Sequence, residues 1–180
     1  MPALRKMKNI VLIGMPGVGK STVGVVAAKR MGCRFVDSDL VIQETSGKLL
    51  HELIEEHGVE GFLEIENRVN ASLQMENAVI ATGGSVCYGR EAMAHLGETG
   101  VVVYLQLGYE ALTERLGDLN ERGVALKAGQ TLKALYQERI PLYEKYADIT
   151  VDCEGKSLRD TAEEVCRRVR LFWETDGKCS

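Results

Sequence analysis

Gly14-Met15-Pro16-Gly17-Val18-Gly19-Lys20-Ser21 fits the pattern G-x-x-x-x-G-K-[ST] at every position. Such a loop works only where a strand enters it and a helix leaves it, so it dictates strand–loop–helix at the start of the chain. Both flanks are legible. Asn9-Ile10-Val11-Leu12-Ile13 is a short apolar run, as in a strand buried on both faces. Beyond the loop, Val23, Val26, Ala27 and Met31 recur at helical spacing, and Gly32 supplies the stop. The glycines let the backbone turn so that successive N–H groups point inward and cradle phosphate oxygens. Lys20 is placed to reach the outer phosphates of a nucleotide, and the Ser21 hydroxyl to ligate Mg²⁺. Pro16, Gly17, Val18, Gly19 and Thr22 complete the candidate ATP-binding loop.

Strand-like and helical patterns then alternate. Cys33-Arg34-Phe35-Val36 reads as a second strand ending at Asp37, and Ala78-Val79-Ile80-Ala81 as a third, stopped by Gly83-Gly84. Val101-Val102-Val103-Tyr104-Leu105 is a fourth, its continuous apolar character matching a parallel sheet, and Ile149-Thr150-Val151 a fifth. Helices are expected from about Leu40 to Glu76, with breaks near Gly47 and Gly58–Gly61, from Tyr109 to Leu116, and from about Thr131 to Glu138. In the last helix Leu158, Ala162, Val165, Cys166, Val169 and Trp173 share one side, which reads as a core face. The pattern predicts one three-layer α/β domain over residues 1–180, a length that suits a single sizeable core.

A net charge of −4 argues against a general nucleic-acid binder, which carries a basic excess. Any pocket for phosphates must therefore be made by a few placed Lys and Arg residues. The five cysteines form no C-x-x-C pair and no Cys/His cluster at zinc spacing, which reads as reduced thiols. No apolar run approaches the roughly 20 residues of a membrane span. The basic start leads straight into the first strand, so a signal peptide is not expected and cytoplasm is the default.

In open α/β sheets, ligands gather outside the carboxyl ends of the strands. Asp37-Ser38-Asp39 lies there. If the extended conformation continues, both carboxylates face the crevice, one to hold the Mg²⁺ hydration shell and one to accept a substrate proton. The alternatives are solvated loop acids or a helix N-cap at Asp39. Thr82-Gly83-Gly84-Ser85 follows the third strand, and its glycines permit a close ligand approach or simply a tight turn. The Gly-rich stretch Gly117–Gly129 holds Arg122 and is followed by Arg139. An arginine on a hinged lid can stabilise a transferring phosphoryl group; the plainer reading is an exposed surface loop.

The sequence resembles the shikimate kinase family, within the P-loop proteins similar to nucleoside-monophosphate kinases. The residues that carry the likeness are the loop from Gly14 to Thr22, Asp37 with Asp39, and Phe62 with Glu66. Thr82-Gly83-Gly84, Arg122, and the run Glu138-Arg139-Ile140-Pro141-Leu142-Tyr143 on to Val151 complete it. The resemblance implies a five-stranded parallel sheet with helices on both faces, a substrate-binding region over about 40–76 and a lid over about 117–129. It implies transfer of the ATP γ-phosphoryl group to a hydroxyl of shikimate, with Mg²⁺. The expected partners are a small hydroxylated metabolite and ATP, with no nucleic acid and no membrane, and a monomer is expected. Lys20, Asp39 and Arg122 would be catalytic, with Ser21 and Asp37 at the metal and Arg115 on the adenine side. Asp39, Gly83, Gly84 and Arg139 would bind the substrate, Arg139 through its carboxylate.

Three positions depart from the family pattern. The family's F-R-x-x-E is Phe62-Leu63-Glu64-Ile65-Glu66 here, so Leu63 replaces an arginine that grips the shikimate carboxylate. Losing one partner of a desolvated charged contact costs about 2–5 kcal/mol. Ser85 stands for the third glycine of the usual triple, and Gly123 for the proline after the lid arginine. Arg68 and Arg90 are candidate replacements for the missing charge. The departures leave two alternatives: a kinase of another hydroxylated metabolite, and an inactive ATP-binding protein that orders a partner surface.

Overall fold

The computed structural model describes residues 8–116 and 124–176. Five strands, β1 (Asn9–Ile13), β2 (Arg34–Asp37), β3 (Ala78–Ala81), β4 (Gly100–Gln106) and β5 (Ile149–Asp152), form one parallel sheet. Their order is β2-β3-β1-β4-β5. β1, β3 and almost all of β4 are buried, which is why these segments read as unbroken apolar runs rather than alternating ones. The sheet is also pinned at its start by a side chain. Asn9 donates through Nδ2 to the Met75 carbonyl (2.7 Å) and accepts at Oδ1 from the Ala78 N–H (3.1 Å), adding a rung between β1 and β3.

Between the strands lie α1 (Lys20–Met31), α2 (Ser38–Ser46), α3 (Leu50–Ala71), α4 (Arg90–Thr99), α5 (Tyr109–Leu116), α6 (Leu132–Tyr146) and α7 (Leu158–Asp176). α1 packs with α7, and α4 with α3, so helices cover both faces of the sheet. Cys166 and Trp173 of α7 are buried in the main core, as the helical periodicity predicts. A second, smaller core of Ile42, Leu53, Phe62, Val69 and Ala125 joins α2 to α3.

The register positions the site. Leu12 and Asp37 both pair with Ala81, so the carboxyl ends of β1, β2 and β3 lie side by side. The loop after β1, the acids after β2 and the glycines after β3 are therefore neighbours.

Four local expectations need correction. β2 starts at Arg34, one residue later than read, and α2 starts at once at Ser38, so the Asp37-Ser38-Asp39 segment is not extended. Asp37 is the N-cap, accepting the Asp39 N–H at Oδ1 (3.0 Å), a bond that satisfies one of the free N–H groups at the helix start. The helical region from Leu40 does break at Gly47, a left-handed C-cap, and kinks at Gly58 (φ 70°), but it stops at Ala71. α4 is an unforeseen helix: only Ala92, Met93 and Leu96 are buried, too short a stripe to stand out beside Gly97. α6 runs past Glu138 to Tyr146, with Pro141 inside it.

Candidate active site

α1 begins at Lys20 immediately after Gly19, which places the helix N-terminus and its unpaired N–H groups against the loop. Gly17 (φ 84°) and Gly19 (φ 101°) take the left-handed backbone that the turn needs. Neighbouring side chains also fill the space a Cβ would use. At Gly17 it would lie 2.8 Å from Leu116 Cδ2, and at Gly19 2.5 Å from Leu158 Cδ2. Lys20 is buried, with Nζ donating to the carbonyls of Gly14 (2.7 Å) and Met15 (2.9 Å). Burial pulls its pKa down to about 8, partly opposed by the Asp39 carboxylate nearby.

Beside this loop the Ser21 hydroxyl donates to Asp37 Oδ2 (2.7 Å). A hydroxyl and a carboxylate meeting at the exposed mouth of a phosphate loop are hard oxygen ligands suited to Mg²⁺. Among the described residues no group of three or more His, Cys, Asp or Glu side chains converges.

Because α2 starts at Ser38, the two acids diverge. Asp37 turns to Ser21 while Asp39, in the first helical turn, faces the glycines after β3. A Cβ on Gly83 would lie 2.7 Å from Asp39 Oδ1. Burial raises the Asp39 pKa to about 6, and the neighbouring Asp37 adds to the shift while Lys20 opposes it. A carboxylate poised in that range suits proton acceptance near neutral pH.

The glycine segment is held from several sides. Thr82 Oγ1 donates to the Leu12 carbonyl (2.7 Å), and the Tyr143 hydroxyl donates to the Gly84 carbonyl. Tyr143 stacks on Tyr104, with ring centroids 5.2 Å apart. One turn earlier on α6, Arg139 is only 1% exposed, its guanidinium 5.3 Å from the Tyr88 ring centroid and its Nε without a hydrogen-bond partner. A Cβ on Gly84 would lie 2.6 Å from Pro16 Cδ and 2.9 Å from Arg139 Nη1, so the glycine lets the phosphate loop and this cation pack closely on the turn.

A cavity of about 820 Å³ runs from Arg115 and Leu158, past Lys20 and Ser21, to Asp39 and Gly83. Arg115 Nη1 donates to the Val18 carbonyl (3.1 Å), which fixes it beside the phosphate loop. A second cavity of about 280 Å³ lies on the far side of Arg139, lined also by Leu63, Tyr88 and Lys127. Leu63 thus stands beside Arg139 as an apolar wall. Neither Arg68 nor Arg90 lines either cavity; both are exposed. Arg122, Gly123 and the first part of the 117–129 segment lie outside the described residues.

Sequence reasoning missed Lys156, Ser157 and Leu158, which line the nucleotide end, and Leu50 at the other end. The first three follow β5, and the rule that ligands gather beyond strand carboxyl ends was a signal for them. Nothing in the local sequence marks Leu50.

The comparisons with known proteins agree with this geometry. A family model described as shikimate kinase matches residues 16–170. A shikimate kinase of Persephonella marina is 36% identical over 165 residues, 91% of this chain and 100% of that protein. One from Thermodesulfovibrio yellowstonii is 37% identical over 164 residues, 89% and 94% of the two chains. Among solved structures, shikimate kinase from Acinetobacter baumannii in complex with shikimate superposes with a TM-score of 0.85 at 30% identity, covering 94% of this chain and 97% of that one. Loop, sheet order and overall sequence therefore lead to one conclusion: this chain belongs to the shikimate kinase family, P-loop enzymes that use ATP to phosphorylate a hydroxyl group.

Proposed function

We propose that this protein transfers the γ-phosphoryl group of ATP to a hydroxyl of shikimate. The observation that carries the reading is the single cavity that contains both Lys20, at the phosphate loop, and Asp39, at the glycine wall. The loop N–H groups and Lys20 hold the nucleotide phosphates, and Arg115 with Leu158 borders its base. Asp39 binds the acceptor hydroxyl and takes its proton as the new O–P bond forms, while the bond to the departing ADP oxygen breaks. Such a reaction asks the protein for positioning and charge neutralisation more than for covalent chemistry. Ser21 and Asp37 would hold Mg²⁺, which when bound neutralises phosphate charge. Arg122 would add charge from a lid over 117–129, and Arg139 would hold the acceptor carboxylate.

With Leu63 as its neighbour, Arg139 bears that carboxylate without the family's second arginine. Lys127 is the other cation of the same small cavity, exposed and 3.6 Å from Glu60. The substrate-binding part is α2–α3, within a single 1–180 unit that works as a cytoplasmic monomer. Among the described residues no helix is long and apolar enough to cross a membrane.

ADP release measured with and without shikimate tests the function directly. Release should depend on shikimate and match the phosphorylated product one for one by ³¹P NMR. ADP release indifferent to shikimate would sink the reading.

A further inference from the structure

Arg139 is buried, yet among the described residues it stands in no ion pair. An acid sits next to it in the chain: Glu138, exposed on the same helix. Both oxygens of that acid are engaged elsewhere. Oε1 accepts the Tyr88 hydroxyl (2.5 Å), and Oε2 accepts from Gln130 Nε2 (3.3 Å). Tyr88 closes the short 3₁₀ turn Val86–Tyr88, and its ring is the one that lies against the Arg139 guanidinium. One tyrosine therefore touches both members of a pair that would otherwise neutralise each other. Its ring offers the cation an attractive face without net charge, and its hydroxyl holds the acid. Gln130 is fixed in turn, its Oε1 accepting the Lys127 N–H (3.2 Å). Glu66, the other acid that bears on Arg139, is engaged at Oε2 by the Ser85 hydroxyl. The consequence is a matter of competition. A carboxylate tethered one residue away acts at high effective concentration against one that arrives from solution. Were Glu138 free to swing onto Arg139, an anionic acceptor would have to displace it.

We propose that Tyr88 is a positioning residue that keeps Arg139 unneutralised: its hydroxyl, with Gln130, holds the Glu138 carboxylate away while its ring supports the guanidinium. The inference rests on Arg139 holding the acceptor carboxylate in the proposed reaction. In that setting Tyr88 touches neither substrate. It acts through Arg139 alone, so it affects how tightly an anionic acceptor is held and leaves the phosphoryl-transfer step and the nucleotide untouched.

Steady-state kinetics test it on the wild type, Tyr88→Phe, Glu138→Gln, Gln130→Leu, and Tyr88→Phe or Gln130→Leu each combined with Glu138→Gln. Tyr88→Phe keeps the ring and releases the acid. The KM for shikimate should then rise about three- to fivefold, the upper range for a partly exposed pair of charges. The kcat and the KM for ATP should stay near the wild type. Glu138→Gln alone should change little. Added to Tyr88→Phe, it should return the KM to within about twofold of the wild type, because a neutral amide does not compete for the guanidinium. The Tyr88→Phe penalty should also vanish with the carboxamide analogue of shikimate, which brings no anion to Arg139. An unchanged KM in Tyr88→Phe overturns the proposal. So does a rise that Glu138→Gln fails to reverse, or one that the carboxamide shares, since Tyr88 then acts by packing alone. Should Tyr88→Phe not fold, Gln130→Leu decides: it frees the other oxygen, and the absence of a rise reversed by Glu138→Gln overturns the proposal. In all these outcomes shikimate-dependent ADP release persists and the function stands. A wild type without that release takes down the functional reading and this inference together.

Discussion

The donor half and the acceptor half of this cavity are built on different plans. The donor half is mostly backbone: one uninterrupted stretch, Gly14 to Ser21, turned by glycines and capped by the start of α1. The acceptor half is mostly side chains, brought from α2 (Asp39), α3 (Phe62, Glu66) and the turn after β3 (Ser85), while Arg139 of α6 lines the second, smaller cavity. A backbone cradle tolerates little change in its motif and recognises a phosphate whatever carries it. A cage of side chains changes one residue at a time. Of two departures from the family pattern on described residues, Ser85 falls in the acceptor half and Leu63 in the smaller cavity with Arg139; neither touches the donor half.

The sharpest break between the halves is at Asp39. Asp39→Asn should lower kcat by about 10²–10⁴, the usual share of a general base, with the KM for ATP nearly unchanged. Undiminished kcat would remove Asp39 as the base. Turnover by the wild type should fall as pH drops through about 6, where Asp39 becomes protonated, and again above about 8, where Lys20 loses its charge. Substituting Asn at position 39 should abolish the acidic limb of that profile.

Arg139→Met comes next. Removing a buried cation from a carboxylate contact should weaken shikimate by about 2–5 kcal/mol, seen as a KM raised roughly 30-fold or more. ATP binding should be spared, which separates the halves again. Leu63→Arg runs the comparison in reverse and should lower the KM for shikimate about tenfold, a gain at the weak end of a desolvated charge pair. No gain would mean that the pocket has been rebuilt around the leucine.

The smallest effect concerns stability. Burial lifts Glu66 to about 7 and Asp39 to about 6, both above their ordinary values of 4.5 and 3.8. Their contribution to stability is therefore full at low pH and is lost as pH rises through those folded values. Glu66→Gln, unable to ionise, should gain melting temperature relative to the wild type between about pH 5 and pH 8. A difference that is flat with pH would show that Glu66 does not ionise in this range.

The same contrast governs what could be read from sequence. Strand, loop and helix around Lys20 are adjacent in the chain, so spacing alone revealed them. Asp37 and Asp39 were legible as a pair, but their geometry was not: the strand gives way to a helix between them, and the cap at Asp37 turns them apart. The Ser85–Glu66 bond joins positions far apart in sequence on two elements, and no periodicity links them. The reach of α6 past Glu138 was not legible either: it continues through Pro141, with Arg139 and Tyr143 buried on either side.

Gly17 and Gly19 leave room for Leu116 and Leu158, which come from helices far along the chain. The nucleotide loop is thus a seat cut to fit two distant leucines. An engineer who transplants a phosphate loop from another protein inherits a mismatch at α5 and α7 unless those leucines are recut with it. Donor recognition here is a heritable property of three segments at once, and only one of them carries the motif by which it is known.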